Sequence, residues 1–280
     1  MKKFICYVFV LLIALASSIA SLEAATLINS LPYTINSQGS YYINKNLSST
    51  GNGILVKRNN VTIDLRGYTI RGPGTGVNYG IYMQGAGAGL TNVEIKNGTV
   101  RNFGHSGIRE SYASGKNHRV INVRAISNGV YGIGLNGSNH LIEGCTVSHN
   151  GNVGIYNGGY GSTITGNTSY HNKGAGIHAG DGCTVTGNTA YDNENGGITA
   201  FDGSTVSGNT AYSNGGDGIK TDSGCTVKNN TANYNQYDGI NPGSYNLVDG
   251  NTAYDNNKSL GGYSNISTCS MCVFGTNSAP

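Results

Sequence analysis

Six kinds of side chain in this chain recur at spacings that would gather them for chemistry. Tyr156, His178, Thr199, Lys220 and Asn241 each follow a Gly-Ile pair, and from His178 on the step is 21 residues. Asp181, Asp202 and Asp222 lie just beyond them. If consecutive copies stack, His178, Lys220, Asp202 and Asp222 come to one face within about two strand spacings, about 10 Å. Such a set suits proton abstraction from a sugar carbon next to a carboxylate. Lys220 or His178 would serve as base, Tyr156 as acid, and a cation or Asp222 would manage the developing charge. Arg109 would clamp an acidic group bidentately. It sits in a basic cluster with His105, Glu110, His118, Arg119 and Arg124, beside the insertion SYASGKN at 111–117, read as a binding loop. The plain alternative for each is a solvated face with scattered charge.

A second column is aromatic. Tyr170, Tyr191, Tyr212 and Tyr254 share one repeat position, with Asn233 interrupting. Tyrosines in a row stack on sugar rings and offer hydroxyls, so these residues, with Asp202, are the expected substrate contacts. Aromatic pairing that merely stabilises a sheet is the competing reading. Metal chemistry has less support. His149, His171 and Asp192 occupy equivalent positions and would suit Cu or Zn, scattered Asp residues admit calcium as the one possible cofactor, and no metal ligand is assigned. The TIT, TVT and TVS triplets at 163, 184 and 205 resemble ice-binding arrays, but TVK at 226 breaks the series. Asp202 and Asp222 are the only carboxylate pair to nominate for hydrolysis. A lyase or epimerase acting on an acidic glycan is therefore favoured over a hydrolase.

The elements that must position these residues are legible from the period. The triplets beginning at Gly166, Gly187, Gly208, Asn229 and Gly250 are 21 residues apart, and so are Asn172, Asn193, Asn214, Asn235 and Asn256. A fixed period without helical patterning means a solenoid. Three short alternating runs per repeat, divided by Gly and Asn, read as three strands and three turns. The expected fold is all-β, a single-stranded right-handed parallel β-helix with about 21 residues per coil and nine or ten coils. Val185, Ala190 and Ile177 and their copies face inward. Asn167 through Asn251 and Asn172 through Asn256 form ladders of amides.

Composition narrows the partners. The formal charge is +3 and charged residues make up only 11% of the chain, which disfavours nucleic acid. Lys2 and Lys3, an apolar run from Phe4 to Ala16 and small residues after it read as a secretory leader over residues 1–24. The run is short for a membrane anchor, so no span is expected after cleavage, and the protein is expected to be secreted, periplasmic or on the cell surface. Five cysteines then remain, so at least one is free or pairs between molecules. Cys269 and Cys272 are expected to form a disulfide or loose metal clip, and Cys183 and Cys225 to be buried.

The stretch NNVTIDLRGYTIRG at 59–72, preceded by LPYTINSQGSYYINKNLSSTGNGILVKR, resembles the opening of the pectate-lyase-like, right-handed parallel β-helix superfamily. Within it the chain is similar to the carbohydrate-binding and sugar-hydrolase repeat group, which includes periplasmic accessory proteins of copper-enzyme maturation. The resemblance covers about residues 27–256. It implies an N-terminal cap over 25–58, repeats over 59–256 and a C-terminal cap over 257–280. It also implies a polysaccharide partner, but not one activity, since the superfamily holds lyases, hydrolases, epimerases and adhesins. The Asp-Asp pair of polygalacturonase-like hydrolases and the Asp-Pro-His-Asp stretch of mannuronan epimerases are both missing. The alternatives are a non-catalytic adhesin-like solenoid and a metal-handling accessory protein.

Overall fold

The computed structural model of the chain describes residues 24–85, 87, 89–256, 262 and 264–279. The expected leader, apart from its last residue, lies outside them, as does part of the expected C-terminal cap. Among the described residues every element is a β-strand. Twenty strands form one sheet and ten the other, and the pairing is parallel throughout. The chain is a parallel β-helix of about eleven turns.

One coil shows the rule. Thr163–Thr165 and Thr168–Tyr170 lie in the twenty-stranded wall, and Ile177–Ala179 lies in the ten-stranded wall. The first two strands meet at a corner where Gly166 has φ +64. A residue without Cβ enters that left-handed region freely. The next corner takes a non-glycine residue at positive φ in each rung: His149, His171, Asp192, Ser213, Tyr234 and Asp255.

Side chains alternate across each three-residue strand. Ile177, Val185 and Ala190, with their copies one and two coils on, are fully buried. The Asn188 amide donates to Asn209 Oδ1 at 3.0 Å, and the Asn209 amide to Asn230 Oδ1 at 3.0 Å. The Asn172–Asn256 column repeats this geometry, with Asn193 donating to Asn214 at 2.9 Å. Each ladder also ties a backbone carbonyl of the preceding coil, as Asn209 does with Val185 at 2.9 Å.

The coils are not uniform. Ile54, Ile81, Ile108, Ile133, Ile155 and Ile177 share one column. Their spacings are 27, 27, 25, 22 and 22, and the 21-residue step holds only from Ile177 on. The core tapers with them. One inward column runs Ile70, Val100, Ala125, Val147, Ser169, Ala190. Wide early coils thus have room for large buried side chains, while later ones close around alanine. Strand pairing begins before residue 59, since Tyr33–Ile35 already pairs with Ile54–Val56. At the other end Val273–Phe274 pairs with Leu247–Asp249, and Cys269 and Cys272 are disulfide-bonded. Cys145, Cys183 and Cys225 are free and buried.

Candidate functional site

The middle residue of each strand in the ten-stranded wall faces outward. Down the wall this column reads Thr34, Leu55, Tyr82, Arg109, Gly134, Tyr156, His178, Thr199, Lys220 and Asn241. Rungs are about 4.8 Å apart. Tyr156 and His178 are therefore neighbours, Lys220 is two rungs beyond His178, and Arg109 is five rungs, about 24 Å, from Lys220. Arg109 and Lys220 cannot act on one bond.

His178, Lys220 and Asp222 do come together. With Thr199, Phe201, Asp217 and Tyr237 they line a groove of about 460 Å³. That volume suits a small ligand or a short stretch of a longer one. Tyr156 lies outside the lining but stacks on His178, with ring centroids 4.8 Å apart and planes at 16°. Tyr131 stacks in turn on Tyr156 at 4.9 Å. These rings spend their faces on one another. The stack ends at Phe201, which meets His178 edge-on at 77°. Burial lowers the His178 pKa, and the nearby Asp222 carboxylate offsets this only in part. His178 therefore presents a neutral imidazole at neutral pH. Asp217 is raised, chiefly by burial, while its oxygens accept from Asn241 Nδ2 at 2.9 Å and Asp238 N at 3.1 Å. Asp202 is exposed and outside the groove lining, and its Oδ1 accepts from Ser223 N at 2.8 Å. It ties a turn to the next coil.

The tyrosine column is on the other wall. Tyr170 and Tyr191 stack with centroids 4.9 Å apart and planes at 3°. Tyr212 and Tyr254 are 45% and 49% exposed and each meets Tyr234 edge-on. None of the four lines the groove. His149 and His171 lie on adjacent rungs with rings 5.2 Å apart, beside Asp192, Lys173 and Glu194 in a separate hollow.

The basic cluster around Arg109 divides between outside and inside. Arg109 faces outward, so alternation turns Glu110 inward, and Glu110 and His118 are 1% and 0% exposed. They are not parts of a surface binding loop. With His140 from the next coil they form the one trio of metal-type ligand atoms that converges among the described residues, within 4.8 Å of one another. His118 Nε2 is 3.5 Å from Glu110 Oε1, and His140 Nε2 is 3.2 Å from Glu110 Oε2.

This trio does not fit a metal. The two imidazoles are parallel, at 4°, with centroids 4.9 Å apart, so their Nε2 lone-pair directions run side by side instead of meeting. Their Nδ1 atoms accept backbone N–H groups, His118 from Val93 at 3.2 Å and His140 from His118 at 3.1 Å. A neutral imidazole bound to metal through Nε2 carries its proton on Nδ1 and donates it. Here Nδ1 is already an acceptor, so each ring carries its proton on Nε2, which faces the carboxylate as an ion-pair contact without an aligned hydrogen bond; both Nε2 atoms and Glu110 Oε1 have no hydrogen-bond partner. The same position in later coils is filled by other acceptors of a backbone N–H: Ser162, Ser204 and Asn246. Burial alone would raise the Glu110 carboxyl, but the two histidine contacts outweigh it and hold it well below the usual range. The signal in the sequence was the 22-residue step from His118 to His140, in register with Ser162, Cys183 and Ser204.

Residues 52–211 match the family described as "right handed beta helix region". No curated protein sequence matches the chain. Among solved structures it is similar to the A-module of the Azotobacter vinelandii mannuronan C-5 epimerase AlgE6. Identity is 18%, coverage 85% of this chain and 71% of that one, and TM-score 0.64. It is also similar to the Dettilon tailspike protein gp208, at 15% identity over 90% of this chain and 59% of that one, with TM-score 0.69. The pectate lyase Pel9A aligns at 18% identity over 85% and 68%, with TM-score 0.53. At these identities the likeness is one of fold.

Proposed function

We propose, from the premise that the chain belongs to the right-handed β-helix family, that it binds a polysaccharide along the outer face of the ten-stranded wall. The groove between the His178 and Lys220 rungs is the seat. The observation that carries this reading is the composition of the groove. An aromatic edge, Phe201, stands beside a cation, Lys220, two carboxylates, Asp217 and Asp222, and a hydroxyl, Thr199. A sugar ring asks for such a mixture of apolar contact and directed polar groups. Similar folds carry names that refer to mannuronan and pectate, and this supports a glycan role. The leader-like N-terminus supports a site of action outside the cytoplasm. Among the described residues no helix is long and apolar enough to cross a membrane.

One observation favours catalysis as a second reading. His178 is held neutral by burial and shares the groove with Lys220. On an acidic glycan His178 would take the C5 proton next to the carboxylate, Lys220 would balance the charge that develops, and the C4–O bond would break with its electron pair leaving on the neighbouring sugar's oxygen, which takes a proton from water. Tyr156, stacked on His178, would orient its ring.

The test is a titration of the mature protein against neutral and acidic polysaccharides, with ultraviolet absorbance of unsaturated product followed in parallel. Phe201→Ala and Lys220→Ala should each weaken binding about tenfold or more. Tyr212→Ala, on the other wall, should leave it unchanged. Product absorbance lost in His178→Ala would support the lyase reading. Binding that ignores the groove variants and falls with Tyr212→Ala would move the site to the tyrosine column. No binding at all would leave a structural solenoid.

A further inference from the structure

We propose that Arg109 is an anchor for an anionic group of the bound polysaccharide, at a second subsite about three rungs from the groove. The inference rests on the glycan reading and deepens it by naming the class of ligand: a glycan bearing carboxylate or sulfate groups along its length.

The guanidinium is a cation without a counter-charge. Arg109 Nη1 is buried and has no hydrogen-bond partner, and among the described residues Arg109 forms no ion pair. Its neighbour in sequence, Glu110, is on the inner side of the wall and engaged with the two histidines. Leaving a charged donor buried and unpaired is costly, so such a group calls for an explanation.

The surroundings are those of a seat. Nine of the ten rungs in this outward column carry a side chain, and Gly134 does not. Arg109 lies across the gap. A Cβ on Gly134 would sit 3.0 Å from Arg109 Nη1 and 3.4 Å from Cδ. On one side Tyr79 and Tyr82 stack at 4.3 Å. On the other, Arg109 Cζ is 5.3 Å from the centre of the Tyr131 ring, which stacks on Tyr156. The guanidinium itself fills the gap over Gly134, which is buried, and lies between two tyrosine pairs. Arg109 is only half-buried, so an oxyanion would meet the guanidinium from its solvent side, with aromatic rings excluding water beside it, and charge-assisted bonds to Arg are strong there.

The spacing decides between a small anion and a polymer. Arg109 stands three rungs from His178, the first groove residue in its column, about 14 Å. The Tyr131–Tyr156–His178 stack joins the two. An extended glycan parallel to the solenoid axis would lie in the groove and reach Arg109 with a group farther along. Arg109 is then a binding residue, set apart from any chemistry at Lys220.

The experiment compares matched ligands. Uronate-bearing and sulfated polysaccharides are titrated against the mature chain beside the same polymers after carboxyl reduction or desulfation. The wild type should prefer the charged form of one class by about 10- to 100-fold, and the class preferred tells carboxylate from sulfate. Arg109→Gln should remove the preference and leave affinity for the neutral form intact, with Arg109→Lys recovering part of it. Gly134→Ala, whose Cβ would meet both Arg109 Nη1 and Tyr131 Cδ2 at 3.0 Å, should shift the guanidinium without removing its charge and weaken the preference in the same direction. Thermal melting of both variants should match the wild type. A preference that survives Arg109→Gln, or equal binding of charged and neutral forms, overturns the anchor and leaves the glycan reading standing. Binding of no member of either set overturns both. Binding of inorganic sulfate as tightly as of the polymer overturns the claim that the ligand spans the two subsites.

Discussion

Replacing Glu110 with Gln tests the reading of the buried trio. In the native chain Glu110 Oε2 accepts from Asn136 N at 2.8 Å and Gly137 N at 3.0 Å. The imidazole Nε2 atoms stand 3.2 and 3.5 Å from the carboxylate. Gln keeps one carbonyl oxygen for the two backbone amides. It turns an NH2 toward an imidazole N–H, so donor faces donor in a dry interior. Losing charge-assisted contacts and orphaning buried donors costs about 2–4 kcal/mol at neutral pH. The half-exposed Glu94, paired with Lys96 and Arg119 at the surface, should cost under about 1 kcal/mol on the same change. The pH dependence sharpens the test. The folded Glu110 pKa lies below its ordinary value of 4.5. Its ionisation therefore stabilises the fold above that value, and the stabilisation is lost as pH falls toward the folded pKa. His140 is also lowered from 6.5, by burial first, with Glu110 opposing and His118 adding. It too stabilises above its unfolded pKa, so wild-type stability begins to fall below about pH 6.5. Without Glu110 to oppose it His140 should be lowered further, so the gap between wild type and Glu110→Gln should widen as pH falls below about 6.5 and then, below pH 4.5, lose the part that comes from carboxylate ionisation. Denaturant unfolding across pH, with hydrogen exchange at the Asn136 and Gly137 amides, reads both. An offset that stays constant into acid, or no offset at all, would refute the buried carboxylate as described. Zinc that stabilises the wild type and not the variant would restore the metal reading that the imidazole geometry excludes.

Other expectations follow from the same contacts. Asn209→Ala removes the acceptor for the Asn188 amide and backbone N–H, and the donors to Val185 O and Asn230 Oδ1. It should cost about 3–5 kcal/mol, and hydrogen exchange should show the loss spreading into adjacent coils; a cost below about 1 kcal/mol would mean that water replaces the ladder. Burial pushes the Cys145 thiol up to about 12. Alkylation at pH 8 should therefore spare it in the folded chain and modify it after denaturation, as mass spectrometry of the peptides would show.

What could be read in the sequence follows from what stacking demands. In the later coils each position must match its copy one rung away, so period, strand count, inward residues and both asparagine ladders were visible in single letters. His178, Lys220 and Asp222 were legible as one face for the same reason. The tyrosine column was legible as a column, but which wall it shared with the groove was not. Two strands per coil in one sheet and one in the other is a property of the corners, and corner angles are not written in the period. Asp217 was hidden because a groove depends on which loops stand up beside the wall.

The region around Arg109 was misread for a different physical reason. Before Ile177 the step between rungs drifts from 27 to 22 residues, so a cluster of charges close in sequence says little about direction. Alternation is the more reliable guide there: Ile108 is buried, so Arg109 must face out and Glu110 in. One strand thereby carries a cation on its outer face and a carboxylate on its inner face, with a wall between them that prevents their pairing. Each then needs a partner from elsewhere. For Glu110 the partners are two imidazoles whose tautomers are fixed by the backbone. For Arg109 the chain supplies rings and a gap, and the missing charge has to come from the ligand.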